Sequence, residues 1–157
     1  MLHKMPKLYA FVTCEKVITD SEGFSSLIAL FNELTVFISE GSPSPPANAV
    51  AAREWAIFTS WEGEPADDGK EFRQIFQLLY PDGTPFGQEM AFLFTVHADK
   101  RYNQVIAKSM GFPIGQPGKY LIQMRLEQDG STVFGPEAIR MDVKYSAPAQ
   151  VSQASAS

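Results

Sequence analysis

Side chains that carry chemistry are scarce in this sequence of 157 residues. Its one cysteine, Cys14, excludes an internal disulfide, and with it the stapled design of small secreted domains. Two histidines, His3 and His97, bring the Cys and His total to three, too few for a four-ligand structural zinc site. No run approaches the ~20 apolar residues of a membrane span. The opening stretch MLHKMPKLYAFVTCEKVITD is basic and then apolar, but Glu15 and Lys16 interrupt it and it has no small-residue cleavage site. A cytoplasmic address is therefore expected, with no membrane partner. Basic charge is in deficit as well: 13 Lys and Arg stand against 18 Asp and Glu, a net charge of −5. Nucleic-acid binding draws on a basic face that displaces counterions from about 6–10 phosphates. No such face is evident, and no nucleic-acid partner is expected.

What is present is aromatic and β-branched. Phenylalanine alone occurs 12 times, and the 45% hydrophobic content suits one folded domain with its own core. From Leu8 to Ile18, LYAFVTCEKVI places Leu8, Ala10, Val12 and Cys14 on one parity, the pattern of a strand with that face buried. Asp20 to Gly23, DSEG, supplies a turn. FSSLIALFNELTVFIS then admits two readings. Leu27, Ile28, Leu30, Phe31 and Leu34 fit a helical stripe capped at Ser25 or Ser26, whereas Phe24, Ile28, Leu30, Leu34, Val36 and Ile38 share one strand face. The extended preference of TVFIS favours a long strand paired back on the first, with a bulge near Asn32. Residues 40–49, EGSPSPPANA, form a prolyl linker that contains P-x-x-P from Pro43 to Pro46 and fits an exposed crossover loop. REWAIFTSW resumes strand character, with Trp55, Ile57, Thr59 and Trp61 on one side and Ala56, Phe58 and Ser60 on the other. After the loop EGEPADDGKE, FRQIFQLLY aligns Phe72, Phe76, Leu78 and Tyr80.

One pattern occurs twice. DGTPFGQE, Asp82 to Glu89, returns as DGSTVFGPE, Asp129 to Glu137. In both places Asp-Gly separates alternating apolar runs, which is the sequence signal of a β-hairpin. The first copy is introduced by Tyr80-Pro81 and leads into MAFLFTV, with Met90, Phe92, Phe94 and Val96 inward. The second joins KYLIQMRLEQ to AIRMDVKY, with Tyr120, Ile122, Met124 and Leu126 inward. The copies share no catalytic residue type beyond a trailing Glu, so the repeat reads as turn chemistry. Between them, RYNQVIAKSMGFPIGQPG fits either a strand with a loop or a short helical turn.

These signals predict an all-β fold: a single antiparallel β-sandwich, immunoglobulin-like, of about seven or eight strands. The expected organisation is an N-terminal arm over 1–6, the sandwich over 7–145 and a polar small-residue tail over 146–157 that buries too little to order itself. In PGKYLI, a Gly two residues before Tyr120 at the head of a strand resembles the tyrosine corner of immunoglobulin-like sandwiches, where the hydroxyl bonds back to the chain. More broadly, CEKVITD with SLI near the start and GKY near the end resemble a family of small bacterial β-sandwich proteins without an assigned function. That resemblance spans about residues 7–145; it implies a fold and brings no catalytic residues.

Constellations of reactive groups are weak. His97-x-Asp99 matches the first two ligands of a facial iron triad, but the remaining histidine is His3 at the terminus. Glu62, Glu64, Asp67, Asp68 and Glu71 lack the ordered spacing of a calcium loop, and no spacing pairs them with Glu33 as glycosidase carboxylates. Cys14 sits mid-strand on the apolar parity, as a small hydrophobe would. No cofactor, metal or catalytic residue is expected. Trp55, Trp61 and Tyr80 are the candidate binding residues: on an outer face the two indoles and the phenol could stack on a sugar or a protein, and the alternative is that they pack inward. The leading expectation is a non-enzymatic module that binds a protein partner or self-associates through an edge strand. A carbohydrate-binding module comes second and a metal-dependent oxygenase third.

Overall fold

A computed structural model describes residues 5–147. Nine strands and one single-turn 3-10 helix (Pro65–Asp67) account for its elements: β1 Lys7–Thr19, β2 Ser25–Leu30, β3 Glu33–Phe37, β4 Val50–Glu62, β5 Glu71–Leu79, β6 Pro85–Thr95, β7 Asn103–Pro113, β8 Gly118–Gln128 and β9 Ser131–Ser146. They form two sheets, ordered β2-β1-β4-β7 and β3-β9-β8-β5-β6. All described pairings are antiparallel except β3 with β9, which is parallel. The all-β expectation holds. No helix among the described residues is long and apolar enough to cross a membrane. The expected tail lies almost wholly outside the described residues, as do Met1 to Lys4 of the expected arm and His3 with them.

Between the sheets, β4 contributes Trp55, Ile57 and Trp61, β5 contributes Phe72, Phe76 and Leu78, and β8 contributes Tyr120, Ile122, Met124 and Leu126. These are the alternating residues that the sequence pattern places inward. The five-stranded sheet curls as a half-barrel. Bulges, which bend a strand, interrupt its ladders in β5–β6 and in β8–β9. Each Phe-Gly of the repeated motif falls beside such a register shift. Gly87 and Gly135 there adopt φ of 66° and 87°, a backbone region glycine enters without steric cost. The repeat thus encodes a common bulge, while its turns differ. Gly83 closes a turn through Gly83 N–H to Tyr80 O (2.8 Å), whereas Asp129 and Gly130 both have positive φ, as a two-residue type I′ hairpin requires.

The stretch from Phe24 to Ile38 departs from the single strand expected. It is extended, but it makes two strands in different sheets, which raises the strand count to nine. At the switch, Phe31 N–H donates to Thr13 O (3.2 Å) on β1, and Asp142 N–H on β9 donates to Asn32 O (2.8 Å). Phe24, Ile28 and Leu30 therefore share no buried face with Leu34 and Val36: the first three are exposed, and Leu34 and Val36 pack in the core. Residues 103–113 resolve the other ambiguity as strand β7.

The same hairpin explains a further departure. Every residue from Trp55 to Trp61 is buried, on both faces of β4. β1 pairs with β4 only as far as Cys14, after which it pairs with β2 alone. The Glu15–Leu30 hairpin then turns back across the outer face of the four-stranded sheet. Val17 and Leu27, opposite each other in register, pack on Cys14, Ala56, Phe58 and Ile106, and Ser25 Oγ reaches Gln104 Oε1 on β7 at 2.6 Å. Ala29, between Ile28 and Leu30, which pair with Lys16 and Cys14, has φ of 54°, uncommon for a residue with a side chain. Near this bend, Arg53 pairs with Glu15 and lies over the Phe31 ring, 4.9 Å from its centroid.

Candidate interaction surface

The aromatic residues singled out as a binding platform lie largely inside. Trp55 is 2% exposed and Trp61 0%. Trp55 Nε1 donates to Gly111 O (2.9 Å), with its ring edge-on to Phe112. Trp61 Nε1 donates to Gln74 Oε1 (2.9 Å), and its ring contacts Phe94 and Phe134. Tyr80, half-buried, packs on Phe86 and Tyr120. The inward alternative is the one adopted, because the parity of Trp55 and Trp61 faces the second sheet; neither indole presents a face to an external sugar.

Gln74 was not signalled by composition. It occupies the inward parity of β5 between Phe72 and Phe76, fully buried, and its amide also exchanges hydrogen bonds with Thr59 Oγ1 (2.9 and 3.0 Å). A buried amide with satisfied partners fixes the register between the sheets. Tyr120 is fully buried; its hydroxyl donates to Gln116 O (2.8 Å) and accepts from Gln116 N–H (3.3 Å), so it ties strand to loop as expected. Burial pushes that hydroxyl's pKa up to about 12.

Other reactive groups are dispersed. Cys14 lies under the folded-back hairpin, where burial raises its thiol above the usual range. His97 is exposed, and its main-chain N–H donates to Asn103 Oδ1 (2.9 Å). No group of three or more His, Cys, Asp and Glu among the described residues is placed to hold a metal ion. The acidic loop is less solvated than its composition implies: Asp67 is buried and pairs with Lys70 (3.2 Å), and Asp68 accepts the Ala98 N–H (3.0 Å).

The surface that remains is at the strand edges. Four strands end a sheet: β2, β7, β3 and β6. Natural edges are blunted by charge, proline or shortness. β3 is five residues long and carries Glu33; β6 begins at Pro85 and contains Glu89; β7 contains Lys108 and ends at Pro113. β2, SSLIAL, has neither charge nor proline. Beside or within it, Phe24 is 69% exposed, Leu30 62% and Ile28 44%.

Which main-chain groups β2 offers follows from its pairing. Asp20 N–H donates to Phe24 O (2.9 Å), and antiparallel ladders alternate. The amides of Ser26 and Ile28 therefore turn toward β1, and those of Ser25 and Leu27 turn outward, where no strand neighbours them among the described residues. Beyond Leu30 the edge continues into a cleft of about 500 Å3 lined by Phe11, Thr13, Leu30, Phe31, Ile139 and Arg140. It lies where, among the described residues, β1 before Cys14 and β9 before Asp142 each have a side without a strand partner. Arg140 at its rim pairs with Asp142 (2.7 Å).

No family model matches this chain, and no curated protein matches it in sequence.

Proposed function

We propose that the protein is an interaction module that binds protein by strand addition at β2, on an immunoglobulin-like two-sheet frame. One observation carries this reading: among the four edge strands, β2 alone combines free outward amides, no charge, no proline and exposed apolar side chains. Main-chain hydrogen bonds supply affinity in such pairing, and alternate side chains supply selectivity. The Tyr120 hydroxyl bonded back to Gln116 supports the immunoglobulin-like description.

Amide spectra recorded with a panel of synthetic extended peptides of alternating apolar and polar residues test this reading. Shifts should concentrate at Ser25, Leu27 and Ala29, and Leu27→Pro should abolish them. That substitution removes an outward donor and leaves the donors facing β1 in place. Peptides that leave β2 unshifted while perturbing β3, β6 or β7 would refute it.

A further inference from the structure

We infer that the strand added to β2 is β2 of a second copy, in a two-fold antiparallel pair centred on Leu27. This rests on the strand-accepting reading above and adds the identity of the occupant. A two-fold contact sets each surface against itself, so any charge inside it meets its own like. The stretch Phe24–Asn32 contains no charged residue and meets that condition, whereas β3, β6 and β7 do not.

The outward amides limit the register, since Ser26 and Ile28 spend theirs on β1. Of the two-fold registers they allow, the one in which Leu27 exchanges N–H and C=O with Leu27 of the other copy also sets the exposed apolar side chains against each other. With that centre, Ser26 opposes Ile28, and Phe24 opposes Leu30. Phe24 and Leu30, the two most exposed apolar side chains of the hairpin, then cover each other beside the cleft at Phe31.

Charge does not oppose this arrangement. Antiparallel pairing brings the hairpin tip, with Asp20 and Glu22, to the base of the other copy, where Arg53 pairs with Glu15 and Arg140 with Asp142, so no unpaired carboxylate of those two pairs faces the tip. The contact is small: a six-residue strand and a few apolar side chains fall short of the roughly 800 Å2 per partner of tight complexes. A dimer with Kd in the micromolar range, on the order of 10 µM, is expected.

Three measurements on the full chain test this. Mass by light scattering should rise toward twice the monomer value across the micromolar range. Ile28→Glu should weaken dimerisation by at least about tenfold, through like charges near the axis. Lys16, opposite Ile28 in the monomer, gives the new carboxylate a partner, so an unchanged unfolding midpoint separates lost pairing from lost folding. Finally, in a Cys14→Ser background, Ser26→Cys mixed with Ile28→Cys should form disulfide dimers much faster than either variant alone. Mass fixed at one chain overturns the inference, and so do a dimer indifferent to Ile28→Glu or equal cross-linking in mixed and unmixed samples. A monomer whose β2 amides still shift with the peptides would overturn self-pairing alone; a monomer with no such shifts would overturn both readings.

Discussion

Replacing Val17 by Ala tests whether the hairpin lies back on the sheet. Val17 is 7% exposed, held with Leu27 against Cys14, Ala56 and Phe58, while its neighbour Ile18 is 46% exposed on the opposite side of the same ribbon. Val→Ala deletes two carbon groups, worth about 0.8 kcal/mol each in transfer. A residual cavity adds to this, for a total of about 2 kcal/mol. For a chain of this length that is a fall in Tm of roughly 4–8 °C. Urea unfolding should show a lower midpoint with an unchanged slope, since no new surface is exposed in the native state. Ile18→Ser, the control, should cost less than about 0.5 kcal/mol, as surface substitutions do. A hairpin standing free in solvent would make the two variants alike. Equal costs, or a larger cost at Ile18, would refute the folded-back arrangement.

Three further outcomes follow from the same packing. Gln74→Met should cost about 2 kcal/mol by urea unfolding, because it leaves the buried Trp61 Nε1 without its acceptor, while Thr59 Oγ1 keeps the Val105 carbonyl at 3.5 Å. Ala29→Gly should stabilise by about 1 kcal/mol in the same assay, since glycine adopts φ of 54° without the left-handed penalty. Tyr120 should resist ionisation: with its folded pKa raised to about 12, its contribution to stability is complete below the unfolded value of about 10 and is lost as pH climbs between the two. A pH series of unfolding midpoints should decline across that window, and Tyr120→Phe should flatten the decline.

Much of the frame was legible because local chemistry and tertiary role coincide. Asp129-Gly130 forms the hairpin its sequence signals, the parity of β8 buries Tyr120, Ile122, Met124 and Leu126, and the Tyr120 hydroxyl returns to the chain. The edge surface was harder to read. Phe24 to Ile38 alternates as one strand would; the break expected near Asn32 falls at the switch, but nothing local says that the chain there leaves one sheet for the other. That switch depends on Thr13 and Asp142, residues far along the chain. The fold-back of Glu15–Leu30 is equally non-local, yet it buries Ala56, Phe58 and Ser60 and so erases the expected outer face of β4. The unbroken apolar run of Trp55 to Phe58 was its one trace in the sequence. Exposure of Ile28 and Leu30 has the same origin: side chains that look like core become surface once the hairpin turns its other side inward.

Amide hydrogen exchange along β2 at two protein concentrations tests the central claim most directly. In dilute solution Ser26 and Ile28, bonded to β1, should exchange slowly, while Ser25 and Leu27 should exchange quickly; raising the concentration should slow those two selectively. Outward amides slow at every dilution, or fast at every concentration, would contradict an open edge that pairs with its own copy.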